Sequence, residues 1–249
     1  MEGATIPGRL TWHVATVVKT LVETARARSI YLDVPGWPGH VAGQHVDVRL
    51  TADDGYQTER SYSIASAPED KMVVLTVERL ADGEVSPYLV DALHPGDTIE
   101  LRGPIGGYFV WQESLGGPLL LLAGGSGIVP LYSILRHRNA VRSVVPVRLL
   151  YSARSLDDIM YRTELTRIAA SDGIDVRFTL TRVWPAGWDG YRRRIDGALL
   201  REIAWPVAER PLFYVCGPTA FVEAAANGLV AFGHDAARIK TERFGPTGD

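Results

Sequence analysis

The hydrophobic pattern of the chain changes period once, near residues 111–117, and that change limits the fold more than any other feature. Before it, the pattern repeats every two residues. Trp12, Val14, Thr16 and Val18 keep this period, as do Ile30, Leu32 and Val34, and Val46, Val48 and Leu50. Further short runs lie at Ser61–Ala65, Met72–Glu78 and Thr98–Leu101. Turn clusters separate them: Pro35-Gly36, Asp53-Asp54-Gly55, Ala67-Pro68 and Pro95-Gly96-Asp97. A period of two sends alternate side chains to opposite faces of a strand. Six short strands at this spacing predict a small antiparallel barrel. One short helix interrupts it, with Ser86 as N-cap, Pro87 at the first helical position, and Tyr88, Leu89 and Leu93 on its apolar side.

After Gly116-Gly117 strands alternate with helices. Leu119–Leu122 is an unbroken apolar run of the buried-strand type, and Ile128, Leu131, Tyr132 and Leu135 follow at helical spacing. Then come a strand (Val147–Tyr151), a helix (about Leu156–Ala169), a strand (Val176–Leu180) and a helix near Asp196–Ile203. Strand Leu212–Cys216, helix Thr219–Phe232 and strand Arg238–Phe244 complete the series. Five strands alternating with helices predict a parallel sheet covered on both faces. The expected division is a barrel over residues 1–112 and an α/β unit over 117–249.

Composition narrows the function classes. With 46% apolar and 22% charged residues, the chain carries enough apolar material for packed cores. A net charge of −3 gives no global signal for nucleic acid. No apolar run is long enough to span a bilayer, and the N-terminus lacks the layout of a secretory signal. The single cysteine, Cys216, excludes an internal disulfide, a four-cysteine zinc site and a cysteine-ligated iron–sulfur cluster within this chain. The six histidines form no i, i+4 pair. A cytoplasmic protein without a metal is the expectation.

The Gly-rich segment Ala123-Gly124-Gly125-Ser126-Gly127-Ile128-Val129-Pro130 directly follows the first strand of the α/β unit and opens a helix. Glycines there let the backbone approach a pyrophosphate, and the helix N-terminus offers free N–H groups. Pro130 replaces the third glycine of the usual fingerprint, so a variant of it is expected. In the barrel, Arg60-Ser61-Tyr62-Ser63 combines a phosphate-binding side chain, a flat ring and hydroxyls, although a surface Arg on an ordinary strand reads the same way. Gly83-Glu84-Val85-Ser86 reads as a second anion site or simply as a capped helix.

Together these segments resemble the ferredoxin–NADP reductase superfamily. Arg60-Ser61-Tyr62-Ser63 matches its Arg-x-Tyr-Ser signature, and Gly83-x-x-Ser86 its flavin diphosphate motif. Gly103-Pro104-Ile105-Gly106-Gly107-Tyr108-Phe109 resembles its junction segment. Gly125-Ser126-Gly127-Ile128-Val129-Pro130 resembles its pyrophosphate loop, and Cys216-Gly217-Pro218 the turn beside the nicotinamide. The resemblance spans residues 10–244 in family order. It implies an FAD-binding barrel followed by an NAD(P)-binding α/β domain, with hydride passing from nicotinamide C4 to flavin N5. Arg60 then holds the FAD pyrophosphate, Tyr62 packs on the isoalloxazine or ribityl region, and Ser63 bonds near N5. Backbone N–H groups of Val85 and Ser86 meet the diphosphate, and Gly125, Ser126, Gly127 and Ile128 meet the NAD(P) pyrophosphate. Cys216 lies near nicotinamide C4 as packing and polarity rather than as a nucleophile, or is a small buried strand-end residue. Glu242-Arg243-Phe244 has the spacing of the family's C-terminal Glu-x-Tyr, which makes Glu242 a candidate catalytic group. Phe244 covers the flavin or belongs to the core; five residues, Gly245–Asp249, follow it.

Nucleotide choice rests on the ends of the second and third α/β strands. Ser152, Arg154 and Arg182 are candidate 2′-phosphate ligands, with one arginine of Arg192-Arg193-Arg194. No acid sits at the strand end itself, and Asp157 and Asp158 follow where they could cap a helix. NADPH is therefore expected over NADH. The arginine triplet, or Arg136, His137, Arg138 and Arg142, could instead be a solvated basic surface or dock an acidic electron carrier. With no cluster cysteines, electrons are expected to leave for a separate ferredoxin, flavodoxin-like protein or partner oxygenase. The alternatives are a reductase of diffusible flavin and a non-catalytic nucleotide-binding module.

Overall fold

A computed structural model describes residues 10–52, 54–171 and 174–244. Asp53 of the second turn cluster and the tail Gly245–Asp249 lie outside the described residues. The first half holds β1 (Trp12–Thr24), β2 (Ala27–Asp33), β3 (His45–Thr51), β4 (Gln57–Ser63), β5 (Val73–Glu78) and β6 (Thr98–Ile105). They form one antiparallel sheet in the order β4-β3-β6-β1-β2-β5. Its two ends meet: Ile64, just past β4, bridges Leu75 of β5, and the Ala65 N–H donates to the Val74 carbonyl at 2.7 Å. The sheet is thereby closed into a barrel. Ile30 and Leu32, and Val46 and Val48, fill its interior as the period of two predicts, but β1 has the opposite phase: Ala15 and Val17 face inward, whereas Val14, Thr16 and Val18 of the expected face are exposed.

The second half holds β7 (Leu119–Gly124), β8 (Val147–Ala153), β9 (Asp175–Leu180), β10 (Leu212–Pro218) and β11 (Ile239–Phe244). All pair in parallel, in the order β11-β10-β7-β8-β9. Helices α1 (Ile128–Ala140) and α2 (Arg162–Ser171) pack with Leu119, Leu121 and Ala123 on one face. Helices α3 (Gly197–Ile203) and α4 (Thr219–Ala231) pack with Leu120 and Leu122 on the other. The strand order reverses between β7 and β10, so the carboxyl ends of these two strands form the crevice where such sheets take ligands. No described helix is long and apolar enough to cross a membrane.

Two local expectations need correction. The helix after β5 is a π-type turn, Tyr88–Ala92, and Ser86 does not cap it. The Ser86 Oγ accepts from the Leu80 N–H at 3.0 Å, and the Val85 carbonyl takes the first helical bond from Leu89. The helix expected from Leu156 is a 3-10 turn (Leu156–Asp158), and α2 starts only at Arg162. Tyr161 breaks it, with φ 56°. Its buried ring stacks on Tyr132 at 3.9 Å, and its N–H donates to Glu23 of the barrel at 3.2 Å. A tertiary contact thus holds a residue in a conformation that no α-helix contains.

The halves are joined along α1. Ser133 Oγ donates to the Ser66 carbonyl at 2.7 Å. Arg136 pairs with Asp70 at 2.8 Å, and His137 Nδ1 lies 2.8 Å from Glu69. Tyr214 Oη donates to the Val110 carbonyl at 2.7 Å at the other end of the contact.

Candidate active site

The glycines of the β7–α1 loop do different things. Gly125 has φ +55°, a conformation side chains rarely adopt, and a Cβ there would meet nothing within 4 Å, so its backbone faces open space. Gly127 is pressed against β10: a Cβ would lie 2.0 Å from the Cys216 carbonyl oxygen and 2.8 Å from the Gly217 nitrogen. The loop therefore crosses the β10–α4 turn backbone to backbone. No side chain caps the N-terminus of α1, so its first N–H groups lack side-chain partners.

A cavity of about 470 Å³ runs along this edge. Of the residues singled out in the sequence, Gly125, Ser126, Ser152, Arg154, Arg182, Pro218 and Phe244 line it. Arg194 is the member of the arginine triplet that reaches it. Arg193 lies 3.6 Å from Glu202, and Arg192 donates to the Trp188 carbonyl, so the triplet does not act as one surface. Arg154, Arg182 and Arg194 pair with no carboxylate among the described residues. Thr24, Arg26 and Glu78 of the barrel and Asp158 also line this cavity. Sequence reasoning did not find the barrel residues, since only the packing of the two halves brings them there.

A second cavity adjoins the first through Phe244, which lines both. Its other walls are His45, Ser61, Ser63, Glu242 and Arg243. His45 was not singled out in the sequence. The signal for it is the alternation of β3, which turns Val46 and Val48 inward and His45 outward, opposite Ser63 in the register. Burial lowers its pKa below the usual histidine value. Burial also raises the Glu242 carboxyl, to about 7.

That shift has a checkable consequence. The folded chain holds the Glu242 proton more tightly than the unfolded chain does. The resulting penalty is absent below about pH 4.5 and grows as pH rises toward 7, to about 2 to 3 kcal/mol. Glu242→Gln removes it, so the variant's advantage in unfolding free energy is expected to be larger at about pH 8 than at about pH 5. Equal differences at both values would show that Glu242 titrates normally.

The remaining sequence candidates lie beside or beneath the cavities. Cys216 is fully buried, and burial together with the nearby Glu242 pushes its thiol pKa up, so it is a neutral thiol. Its side chain lines neither cavity; nor do Gly127, Ile128 and Gly217. Tyr62 packs against the barrel core, and burial raises its phenol to about 12. Val85 and Ser86 are buried. Arg60 spans the two barrel motifs: its guanidinium donates to Glu84 at 2.9 Å and to the Glu59 carbonyl at 2.7 Å. Thr58 also donates to the Glu84 carboxylate, at 3.2 Å. In the run at 136–142, Arg136 and His137 face acidic residues of the barrel and Arg138 donates to the Val145 carbonyl, which leaves Arg142 as its exposed basic residue.

Comparison with known proteins agrees with this layout. Residues 25–110 match the oxidoreductase FAD-binding domain, and residues 121–227 the oxidoreductase NAD-binding domain. The chain is 33% identical over 240 residues to the glycine betaine monooxygenase reductase subunit of Pseudomonas aeruginosa, covering 94% of this chain and 65% of that one. The chain thus spans just under two thirds of that relative's length. Among solved structures, the FAD/NAD-binding domain of a Vibrio cholerae nitric oxide dioxygenase superposes with a TM-score of 0.84 at 26% identity, over 94% of this chain and 99% of that one. An Amycolatopsis cytochrome P450 reductase gives 0.84 at 27% identity, over 99% of this chain and 74% of that one. A closed antiparallel barrel, a parallel sheet with a glycine loop at its switch point, and two matched domains in that order make one conclusion plain: the chain belongs to the ferredoxin–NADP reductase superfamily, with an oxidoreductase FAD-binding domain followed by an oxidoreductase NAD-binding domain.

Proposed function

We propose that the chain moves reducing equivalents from NAD(P)H, with NADPH favoured, through bound FAD to a separate redox protein. The acceptor is a ferredoxin- or flavodoxin-type carrier or the redox centre of a partner oxygenase. Similarity to a monooxygenase reductase subunit and to a P450 reductase supports the oxygenase partner. In this reading residues 1–112 hold FAD and residues 117–249 hold the nicotinamide dinucleotide. The observation that carries it is Phe244, which lines both cavities, so that a ligand in one adjoins a ligand in the other.

The residues fit both cofactors. The Gly125 backbone opens on the larger cavity at the uncapped start of a 13-residue helix, which suits a pyrophosphate. Ser152, Arg154, Arg182 and Arg194 supply donors for a 2′-phosphate. Arg60 already grips the carboxylate of Glu84, an anion in the place assigned to the flavin diphosphate. Bound FAD supplies the conversion of a two-electron hydride donor into single electrons. Ser63, Ser61 and His45, which line the smaller cavity, would present polar groups to a flavin held there, where Glu242 would hold a proton near neutral pH and Phe244 would exclude water.

The test is the visible spectrum of the purified protein, followed by anaerobic titration with NADPH and then NADH. Flavin bands that bleach first with NADPH are expected. A colourless protein that takes up no FAD would overturn the proposal. Arg154→Ala is expected to weaken NADPH roughly tenfold more than NADH, through loss of one charge-assisted phosphate contact. Equal weakening would remove Arg154 from 2′-phosphate recognition.

A further inference from the structure

The larger cavity takes part of its wall from the barrel. Arg26 sits at the tip of the β1–β2 hairpin, fixed by its carbonyl, which accepts from the Arg79 N–H at 2.8 Å. Its guanidinium donates to Glu78 at 3.0 Å and lies 3.9 Å from Asp158. All three side chains line the cavity that also holds Ser152, Arg154, Arg182 and Arg194. Glu78 and Asp158 are largely shielded, with side chains 20% and 34% exposed. Among the described residues no second cation pairs with either of them. Glu23, in the same hairpin, holds the Tyr161 N–H, so the hairpin grips the segment that carries Asp158.

A cavity with two bare carboxylates repels a phosphate dianion more strongly than a ribose diol. We infer that Arg26 is a specificity-determining residue for the dinucleotide: as counter-charge to Glu78 and Asp158, this barrel side chain lets the cavity accept a nucleotide carrying a 2′-phosphate. The inference rests on the reading of this cavity as the dinucleotide site. It concerns the ratio of the two affinities and holds whichever nucleotide the wild-type protein prefers.

The experiment is calorimetric titration of the FAD-loaded protein with NADP+ and NAD+. Arg26→Gln is expected to raise the Kd ratio of NADP+ to NAD+ roughly tenfold, the order expected of one unit charge in a partly screened site. Arg26→Lys, which keeps the charge, should leave the ratio near the wild-type value. Adding Asp158→Asn to Arg26→Gln should bring it back toward that value. If Arg26→Gln moves both affinities equally, or neither, the inference fails while the dinucleotide site stands. If the wild-type protein binds neither nucleotide, both fail.

Discussion

Gly127→Ala is expected to destabilise the chain by about 3 kcal/mol or more, the upper range for a forced overpacking. The new Cβ would lie 2.0 Å from the Cys216 carbonyl oxygen and 2.4 Å from its carbon. Both are backbone atoms of a central strand, so no side chain can rotate away. Either the loop lifts from β10, which displaces the start of α1, or the β7–β10 pairing gives way. Gly125→Ala is the control. Its Cβ points into open space, so only the left-handed backbone opposes it, at about 1 to 2 kcal/mol. Urea unfolding of both variants separates the two effects. A Gly127→Ala protein within about 1 kcal/mol of wild type would mean that the loop moves freely against β10.

Arg60→Ala is expected to weaken FAD binding ten- to a hundredfold, which corresponds to about 1.5–3 kcal/mol for hydrogen bonds to a charged group. The guanidinium is more than half exposed, and its ion pair with Glu84 is of the surface type, worth less than about 1 kcal/mol to stability. Lost flavin then reports a lost ligand rather than a lost fold. Glu84→Gln should act in the opposite direction. The Glu84 carboxylate takes bonds from Arg60 and Thr58 that a diphosphate would have to displace. Flavin fluorescence quenching on the apoprotein measures both variants. Unchanged affinity in Arg60→Ala would end its assignment to the diphosphate.

The amino-acid sequence was most informative where structure is local. A period of two in Ile30–Leu32 and Val46–Val48 sends those residues into one interior, and the run Leu119–Leu122 is a strand buried on both faces; in β1 the period was legible but its phase was not, because Val14 and Val18 are as apolar as the Ala15 and Val17 that turn inward. Residues at or just past the carboxyl ends of strands, such as Gly125, Ser152 and Arg154, reach the larger cavity because parallel strands bring those ends to one edge. Illegible features depend on contacts between distant segments. Arg136 and His137 read as surface residues in the sequence because Asp70 and Glu69, which face them across the joint, lie far away in the chain. The late start of α2 follows from Glu23 and Tyr132 acting on Tyr161. Arg26 and Glu78 were hidden for the same reason.

The bonds from Ser133, Arg136 and His137 to residues 66–70 have a mechanical meaning. They fall on successive turns of the helix that begins at the glycine loop. The helix acts as a strut bolted to the barrel, and it fixes the spacing between the two cavities as a dimension of the frame. A chimaera that exchanges one half for that of a relative must therefore transplant residues 66–70 and 128–138 as a matched joint. Without that joint the two halves could each fold and still stand at the wrong distance.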